Sequence, residues 1–473
     1  MAKEIELKLR VRQADFKLLE AQMQQLKAEP QGVRRLENTY FDTPELHLNQ
    51  AKSALRLRFN AEDWVQTLKT SGTSLGALSE RGEWEMPLAE GQLKLELFPE
   101  GLINPEWQNQ LAPQFSTNFT RQTWVYKDAT STPPTEIELA ADLGQVTLPS
   151  KKGRLPVADD ALSELELELK QGNPASLFKL ANRLAANLVV HLGVLSKAER
   201  GLRLLKGIDF TRQQPQPLLN KPSVSFTDLI NLASQEVNQW VLAHENWAFN
   251  ANEDEVLLAH RALLRLHALL VMAQRLCSES QLQPAIAAVK KLLHSFLPWV
   301  KSCWQDKALQ KLTLTGPAAE WRSLNLHYAL RRSEYRRLWY KNWVGQASLL
   351  ITESLFASQS LQACTEENKA AYLLQQAIAK LGLPQQPMQV TVWLDRYPSL
   401  VRVELLLATL EPQAKENLQL IKQMQQAIEI LSGYQQLLAI KNLPEDLGKQ
   451  LLAEQQKLLM QLGRLAQSLW VKP

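Results

Sequence analysis

The chain has 473 residues, of which 45% are hydrophobic and 22% charged, and its formal net charge is +4. This length predicts two or more domains, and the small net charge does not favour a protein that binds nucleic acid in general. None of the three cysteines, Cys277, Cys303 and Cys364, has a Cys-x-x-Cys partner, so neither a zinc motif nor a disulfide framework is expected. The charged N-terminus does not resemble a signal peptide, and no apolar run approaches the roughly 18 residues that span a bilayer. A cytoplasmic protein without a membrane segment is therefore expected.

The first predicted strand covers residues 3–12 and begins with the run Glu4-Ile5-Glu6-Leu7-Lys8. Strand side chains alternate between two faces, so Glu4, Glu6 and Lys8 share one face while Ile5 and Leu7 lie on the other. A charged row of this kind is either solvated at a sheet edge or buried against compensating charge. Metal cations and a polyanion would provide that compensation.

Similar alternations of charged and apolar residues recur through the first 200 residues. Their charged members are Arg56 and Arg58, Lys69, Glu83 and Glu85, Glu138 and Asp142, and Glu164, Glu166, Glu168 and Lys170. Because acids and bases come in blocks, strand after strand, the pattern favours a charged lumen over a solvated outer face. The repeated ionic inner face predicts a closed barrel or tunnel.

Further strands are expected at 36–41, 54–60, 64–70, 80–87, 117–127, 135–142, 144–148 and 161–170. Helices are expected at 13–28, 90–97, 105–112 and 174–192. Residues 1–206 are thus predicted to form an α+β domain with a largely antiparallel sheet.

Residues 207–224 contain Gln-Gln-Pro-Gln-Pro and are predicted to be a linker. After them the apolar period changes to that of a helix, which predicts an all-α domain over 225–473 and a multidomain protein. Its helices or helix pairs are expected near 225–250, 254–279, 284–305, 318–341, 343–358, 365–382, 397–409 and 412–471. Val390-Thr391-Val392-Trp393 is the one strand-like interruption.

The first half resembles the CYTH family, the triphosphate tunnel metalloenzymes, over roughly residues 1–206. The family's Glu-x-Glu-x-Lys signature is present as Glu4-Ile5-Glu6-Leu7-Lys8. Further matches follow in the expected order: Asn38 to Pro44, Ala54 to Arg58, Gln66 to Lys69, Glu138 to Gly144, Glu164 to Lys170 and Ser196 to Gly201.

The resemblance implies an eight-stranded antiparallel tunnel that binds a triphosphate with Mg²⁺ or Mn²⁺. Hard divalent cations prefer carboxylate oxygens, and the expected metal ligands are Glu4, Glu6, Asp142, Glu166 and Glu168. Phosphate oxygens need cationic partners, and the expected substrate-binding residues are Lys8, Arg56, Arg58, Lys69, Arg121 and Lys197. Lys8, Glu4 and Glu6 of the signature are the candidate catalytic residues.

The second half resembles the CHAD domain, a helical module that is often fused to CYTH. Its candidate polyphosphate-binding residues are Arg261, Arg265, His267, Arg332 and Arg336. Spacings of four place Arg261 with Arg265, and Arg332 with Arg336, on common helix faces. The leading histidine of the family's first repeat corresponds to Leu258 here. A solvated helix face is the alternative interpretation of these arginines.

The resemblances together imply a metal-dependent inorganic triphosphatase that cleaves tripolyphosphate to pyrophosphate and phosphate. Long-chain polyphosphate is a further expected partner of the helical half, whereas a membrane and a specific nucleic acid are not expected. The alternatives are a thiamine or nucleoside triphosphatase, or a polyphosphate-binding adaptor with little turnover. CYTH relatives also include class IV adenylate cyclases, so the tunnel alone does not fix the substrate.

Overall fold

The computed structural model describes residues 2–70, 72–75, 77–149, 159–212, 223–277, 281–313, 337–359, 361, 367–383 and 389–469. The chain forms two compact units. The first contains Met1–Gln213, Ala248–Asn250 and Asn342–Phe356, and the second contains Gln214–Trp247, Ala251–Lys341 and Ala357–Pro473.

In the residues that the structure describes, the first unit is built on a ten-stranded antiparallel sheet. Its strands are β1 (Ala2–Val11), β2 (Glu29–Asp42), β3 (Ala54–Phe59), β4 (Trp64–Lys69), β5 (Thr73–Leu75), β6 (Leu78–Leu88), β7 (Ala112–Asp128), β8 (Thr135–Thr147), β9 (Asp159–Gln171) and β10 (Val190–Leu192).

Eight of these strands close into a ring because β1 pairs on both sides. Its first half pairs with β6, where Glu6 faces Ser79, and its second half pairs with β9, where Glu6 faces Glu168. The order around the ring is β1-β9-β8-β7-β2-β3-β4-β6. The predicted eight-stranded antiparallel tunnel is therefore confirmed.

The alternation of the sequence explains which side chains point into the ring. Leu7 and Leu9 are fully buried on the outer face of β1, where they add to the apolar core. The intervening Glu6 and Lys8 lie on the inner face. A slip of one residue would exchange the two faces, so burial of the apolar row fixes the register.

Short helices surround the barrel: α1 (Phe16–Gln25), α2 (His47–Gln50), α3 (Pro105–Gln108), α4 (Ala175–Ala185) and α5 (Lys197–Lys206). Helix α5 starts with a capping box in which Ser196 and Glu199 satisfy each other's backbone N–H groups. Gly201 of α5 lies against Phe115, where an added Cβ would come within 2.1 Å of the ring. Only glycine permits this close approach of α5 to β7.

The described part of the chain after residue 225 is mostly helical. Helices α6 (Phe226–Asn250), α7 (Asp254–Leu276) and α8 (Gln283–Gln310) come first, and α9 (Asn342–Gln359), α10 (Ala370–Leu381), α11 (Val390–Leu410), α12 (Lys415–Leu438) and α13 (Glu445–Ser468) follow. A small two-stranded sheet joins β11 (Ser223–Ser225) to β12 (Glu367–Lys369). The predicted all-α second half is confirmed as a helical region.

Helix α9 is unusual because most of it belongs to the first unit. Asn182 of α4 donates a hydrogen bond to Glu353 at 2.9 Å, and Gln346 donates to the carbonyl oxygen of Ala185 at 3.1 Å. Phe178 and Phe356 lie with their ring centroids 5.5 Å apart. These contacts attach α9 to α4, although residues 343–358 were predicted to belong to the helical half.

Helix α7 is long and apolar enough to cross a membrane by length and composition alone, with a mean hydropathy of 1.6. Much of that window, 61%, is buried inside the protein. The same test is passed by core helices, so α7 is weak evidence for a membrane span.

Cys277, directly after α7, is disulfide-bonded. The cysteine spacing had predicted no disulfide framework, so that prediction is wrong for Cys277.

Several predicted boundaries were wrong. Residues 190–192 form strand β10 rather than the end of a helix, and β8 is one continuous strand rather than two. The strand-like run Val390–Trp393 begins helix α11. The segment 412–471, expected as a helix or a helix pair, contains α12 and α13 in its described part. Most of the helix expected at 318–341 lies outside the described residues.

Candidate functional site

A charged cavity of about 290 Å³ lies inside the barrel. Its described lining contains seven acidic and seven basic residues, so their formal charges cancel. They are Glu4, Glu6, Glu83, Glu85, Glu138, Glu166 and Glu168, with Lys8, Arg56, Arg58, Lys69, Arg121, Lys170 and Lys197. The rest of the lining is Tyr40, Ala54, Ala140, Ser196 and Ala198.

The signature strand β1 supplies one wall. Glu4 accepts a hydrogen bond from Lys69 of β4 at 2.7 Å, and Glu6 accepts one from Ser79 of β6 at 3.2 Å. The ammonium of Lys8 lies 3.7 Å from Glu6 and 3.8 Å from Glu166. These distances exceed that of a hydrogen bond, so among the described residues the Lys8 ammonium has carboxylate neighbours but no hydrogen bond to them.

A dense group of ion pairs surrounds Arg121 of β7 and Lys197 of α5. Arg121 makes a bidentate contact with Asp142, with both distances 2.7 Å, and also donates to Glu166 at 2.7 Å. Lys197, from the first turn of α5, lies within 2.8 Å of Asp142, Glu164 and Glu166. The capping box of α5 therefore places an ammonium among three carboxylates.

These three carboxylates also form the acidic cluster of the described residues. Oxygen atoms of Asp142, Glu164 and Glu166 all lie within 4.8 Å of one another. Asp142 and Glu164 are fully buried, while Glu166 faces the cavity. A cation at this cluster would compete with Lys197 and Arg121 for the same oxygens.

The electrostatics of the acids differ from one place to the next. Burial raises the pKa of Glu166, but Lys197 and Arg121 outweigh it and hold that pKa well below its ordinary value. Burial raises the pKa of Glu168 above its ordinary value even though Lys170 lies 2.6 Å away, and it does the same to Glu83 beside Lys69. The positive charges nearby therefore compensate Glu168 and Glu83 less completely than they compensate Glu166.

The remaining wall carries Arg56 and Arg58 on β3. Arg56 lies 3.5 Å from Glu83 and 3.3 Å from Glu85. Arg58 instead donates from Nε to the side-chain oxygen of Asn38 at 2.8 Å. Burial, together with the neighbouring guanidinium groups of Arg56 and Arg121, lowers the pKa of Arg58 to about 9.

The structure thus gathers most of the predicted site residues around one cavity. Of the predicted set in the first half, Asp142 alone is absent from the described lining and lies behind Arg121 and Lys197.

The sequence did not single out three further residues of the site: Tyr40, Asn38 and Asp160. Asp160 is buried and accepts from Arg200 and Arg203 of α5, at 2.5 and 2.6 Å, so it anchors the helix that carries Lys197.

The candidate residues of the helical half have partners of their own. Arg261 donates to Glu429 at 2.5 Å and lies 3.3 Å from the hydroxyl of Tyr397, and Arg265 donates to buried Glu236 at 2.9 Å. Burial lowers the pKa of His267, with Lys290 adding to the effect. Arg332 and Arg336 lie outside the described residues.

The N-terminal region of the chain is similar to a known protein family. Residues 2–202 match the CYTH domain family, which confirms the resemblance for the N-terminal region. An inorganic triphosphatase from Haemophilus influenzae is 33% identical over 171 residues, which are 36% of this chain and 46% of that protein. The chain therefore spans about half the length of this curated relative.

Two solved structures illustrate the structural relatives. A putative adenylyl cyclase from Hippeastrum, with a dominant triphosphatase activity, is 18% identical with a TM-score of 0.30, covering 43% of this chain and 98% of that one. A putative adenylate cyclase from Bacillus halodurans is 20% identical with a TM-score of 0.26, covering 42% and 98%.

Proposed function

We propose that the barrel hydrolyses a triphosphate, that inorganic tripolyphosphate is its substrate, and that Mg²⁺ or Mn²⁺ is required. The observation that carries this proposal is the charge-balanced lining of seven acids and seven bases. A receptor for polyanions alone would gain from bases and lose from acids. Carboxylates beside a phosphate chain are favourable when a divalent cation lies between them.

The donor set fits such a cation. Glu4, Glu6, Glu166 and Glu168 bring hard carboxylate oxygens to the cavity from the adjacent strands β1 and β9, and these residues would hold the metal. The raised pKa of Glu168, caused by burial, means that an added positive charge would stabilise its ionised form. A bound divalent cation would neutralise phosphate charge and polarise the phosphoryl group that is attacked.

The chain's own bases would bind and orient the phosphates. Arg58 and Lys8 face the cavity without a hydrogen bond to a carboxylate among the described residues. Arg56, Lys69 and Arg121 are ion-paired and would exchange a carboxylate for a phosphate oxygen. Guanidinium groups match phosphate in a bidentate way, and such charge-assisted bonds are each worth about 1.5–3 kcal/mol.

Cavity size and lining favour an inorganic substrate over an organic one. The cavity of about 290 Å³ lies near the lower end, roughly 300 Å³, of small-molecule sites. Tyr40 is the one aromatic side chain in its described lining, and its ring is already stacked on Phe115 at 4.8 Å. The described walls thus offer a nucleobase or thiamine no aromatic side chain other than Tyr40, one face of which is occupied by Phe115.

The polyphosphate contact expected of the helical half stays a prediction. Arg261 and Arg265 would first have to leave Glu429 and Glu236, and opening a buried ion pair is costly. The adaptor alternative is not favoured, because the seven carboxylates of the charge-balanced lining oppose the binding of a polyanion without a metal.

The test is phosphate release by the purified full-length protein from tripolyphosphate, ATP and thiamine triphosphate, each with Mg²⁺ or Mn²⁺. We expect tripolyphosphate to have the highest kcat/KM and EDTA to abolish turnover. Undiminished turnover in metal-free protein would refute the metal requirement. A higher kcat/KM for either organic triphosphate would refute the substrate.

A further inference from the structure

Arg58 differs from the other bases of the cavity in the kind of partner that it has. Six of the seven basic lining residues lie within 4.0 Å of a carboxylate oxygen; they are Lys8, Arg56, Lys69, Arg121, Lys170 and Lys197. No described residue provides a carboxylate within that distance of Arg58. Its one hydrogen bond in the described structure goes to the neutral side chain of Asn38.

Asn38 is held in place on both sides. Its side chain is buried, with 1% of the residue exposed. The side-chain oxygen accepts from Nε of Arg58 at 2.8 Å, and the side-chain nitrogen donates to the carbonyl oxygen of Thr117 at 2.7 Å. The partners fix the orientation of the amide, because Nε can only donate and a carbonyl oxygen can only accept.

The sheet register makes this bridge direct. Asn38 on β2 is the cross-strand partner of Arg58 on β3 and of Thr117 on β7. One amide therefore ties a cavity base to the backbone two strands away. A leucine would fill the same space but could neither accept nor donate, and an aspartate would accept but could not donate to Thr117.

We propose that Asn38 is a positioning residue that fixes Arg58 without giving it a carboxylate partner, so that Arg58 can contact the phosphate chain without first leaving an ion pair. An aspartate there would neutralise Arg58, and an apolar residue would release it. The two terminal nitrogens of Arg58 make no hydrogen bond to any described residue, so they can meet two phosphate oxygens. This inference rests on the proposed triphosphate function.

The test compares Asn38→Leu with Gln66→Leu. Gln66 is an equally buried amide of the barrel that hydrogen-bonds Lys94 through both side-chain atoms and is absent from the described lining. Both variants lose a buried amide and should lose comparable stability in a thermal melt. Only Asn38→Leu should raise the KM for tripolyphosphate, by about tenfold, with kcat changed by less than about twofold.

A second measurement separates positioning from general damage. In an Arg58→Gln background, Asn38→Leu should change KM by less than about twofold, because the residue that it orients is gone. Asn38→Asp, which keeps the acceptor and adds a charge, should raise KM in the wild-type background as well. A KM for Asn38→Leu equal to that of Gln66→Leu overturns the inference, as does an effect of the same size in both backgrounds.

Calorimetric titration with tripolyphosphate in EDTA distinguishes this inference from the proposed function. If the wild-type protein binds tripolyphosphate in EDTA but releases no phosphate from it when Mg²⁺ or Mn²⁺ is supplied, the hydrolytic function fails. The inference is then judged by affinity, which Asn38→Leu should weaken by about tenfold and Gln66→Leu should not. Equal affinities overturn it, and a wild-type protein that neither binds nor hydrolyses tripolyphosphate overturns both.

Discussion

Glu164 is a fully buried carboxylate whose charge is compensated by Lys197 at 2.6 Å and by Arg10. Burial raises its pKa, but Lys197 and Arg10 outweigh burial and lower the pKa to about 2. Replacing it leaves two buried cations with less compensation. Glu164→Gln should therefore destabilise the barrel by about 3 kcal/mol or more at pH 7.

The pH dependence of this effect follows from the direction of the shift. A carboxylate whose pKa is lowered on folding contributes its full stability above the unfolded value of 4.5 and loses it as the pH falls towards 2. Thermal melts of the wild-type and Glu164→Gln proteins should differ by a constant amount above pH 5 and converge below pH 4. A constant difference down to pH 3 would contradict the assigned ion pairs.

The signature carboxylate Glu6 should have a different role. Glu6 lines the cavity, and its hydrogen-bond donor is Ser79 rather than a basic side chain. Glu6→Gln should therefore lower kcat and raise the metal concentration needed for half-maximal rate. Glu29→Gln, on an exposed pair with Lys127, is the control and should change stability by less than about 0.5 kcal/mol. Matching kinetics and metal dependence for the two variants would remove Glu6 from the proposed metal set.

Alternation along strands was enough to predict which charged residues point inward. It works for Glu4, Glu6, Glu166 and Glu168 because apolar neighbours such as Leu7 and Leu167 are fully buried on the other face. It could not identify Asn38 or Asp160. Their importance depends on which residue lies opposite on the next strand or on α5, and a single sequence does not give that register.

Helix α5 illustrates how one element carries a site residue to its place. Gly201 lets the helix pack against Phe115, while Asp160 holds Arg200 and Arg203. Gly201→Ala should force Phe115 or the helix to move, lowering the melting temperature and also kcat/KM, because Lys197 moves with the helix. The expected loss of stability is about 1–3 kcal/mol.

Gly448→Ala is the matched control for that substitution. It lies inside helix α13, where the nearest atom to an added Cβ is 3.7 Å away. Alanine there should leave activity unchanged and stabilise the helix by about 1 kcal/mol. Equal melting temperatures for Gly201→Ala and the wild-type protein would show that α5 does not depend on the contact with Phe115.

Local periodicity predicted the type of most elements but failed where tertiary pairing decided the outcome. Val190–Leu192 continues the apolar pattern of α4, yet it pairs with β1, where Leu192 faces Leu9. Val390–Trp393 has the β-branched composition of a strand, yet Trp393 is fully buried within helix α11. Ser196 and Glu199 were a usable signal for α5, since they form a capping box.

The two compact units do not correspond to two continuous segments of the chain. Helix α9 belongs largely to the first unit, although more than a hundred residues separate it from α4, on which it packs. Sequence periodicity predicted this helix but could not say where it packs. The proposed division at residues 207–224 therefore stays a prediction, and it leaves α9 on the far side of the division.

A fragment of residues 1–212 should consequently be less stable than one that also carries α9 through a flexible linker. Without α9, the fully buried Phe178 loses its contact with Phe356, and the expected cost is on the order of 2 kcal/mol. The measurement is denaturant unfolding of the two fragments.

A linked fragment with Gly345→Leu is the control. An added Cβ at Gly345 would lie 1.9 Å from the carbonyl oxygen of Val190, so this helix should not dock and should give no gain in stability. If the fragment of residues 1–212 unfolds at the same denaturant concentration as the linked one, α9 is not part of the barrel unit.

The position of α9 also determines when the barrel unit can be completed during translation. All strands of the barrel have been synthesised by residue 192, but α9 ends only at Gln359. At a synthesis rate of about 5–20 residues per second, the nascent barrel waits on the order of ten seconds for this helix. Throughout that interval the surface of α4 that α9 later covers is open to chaperones, proteases and other nascent chains.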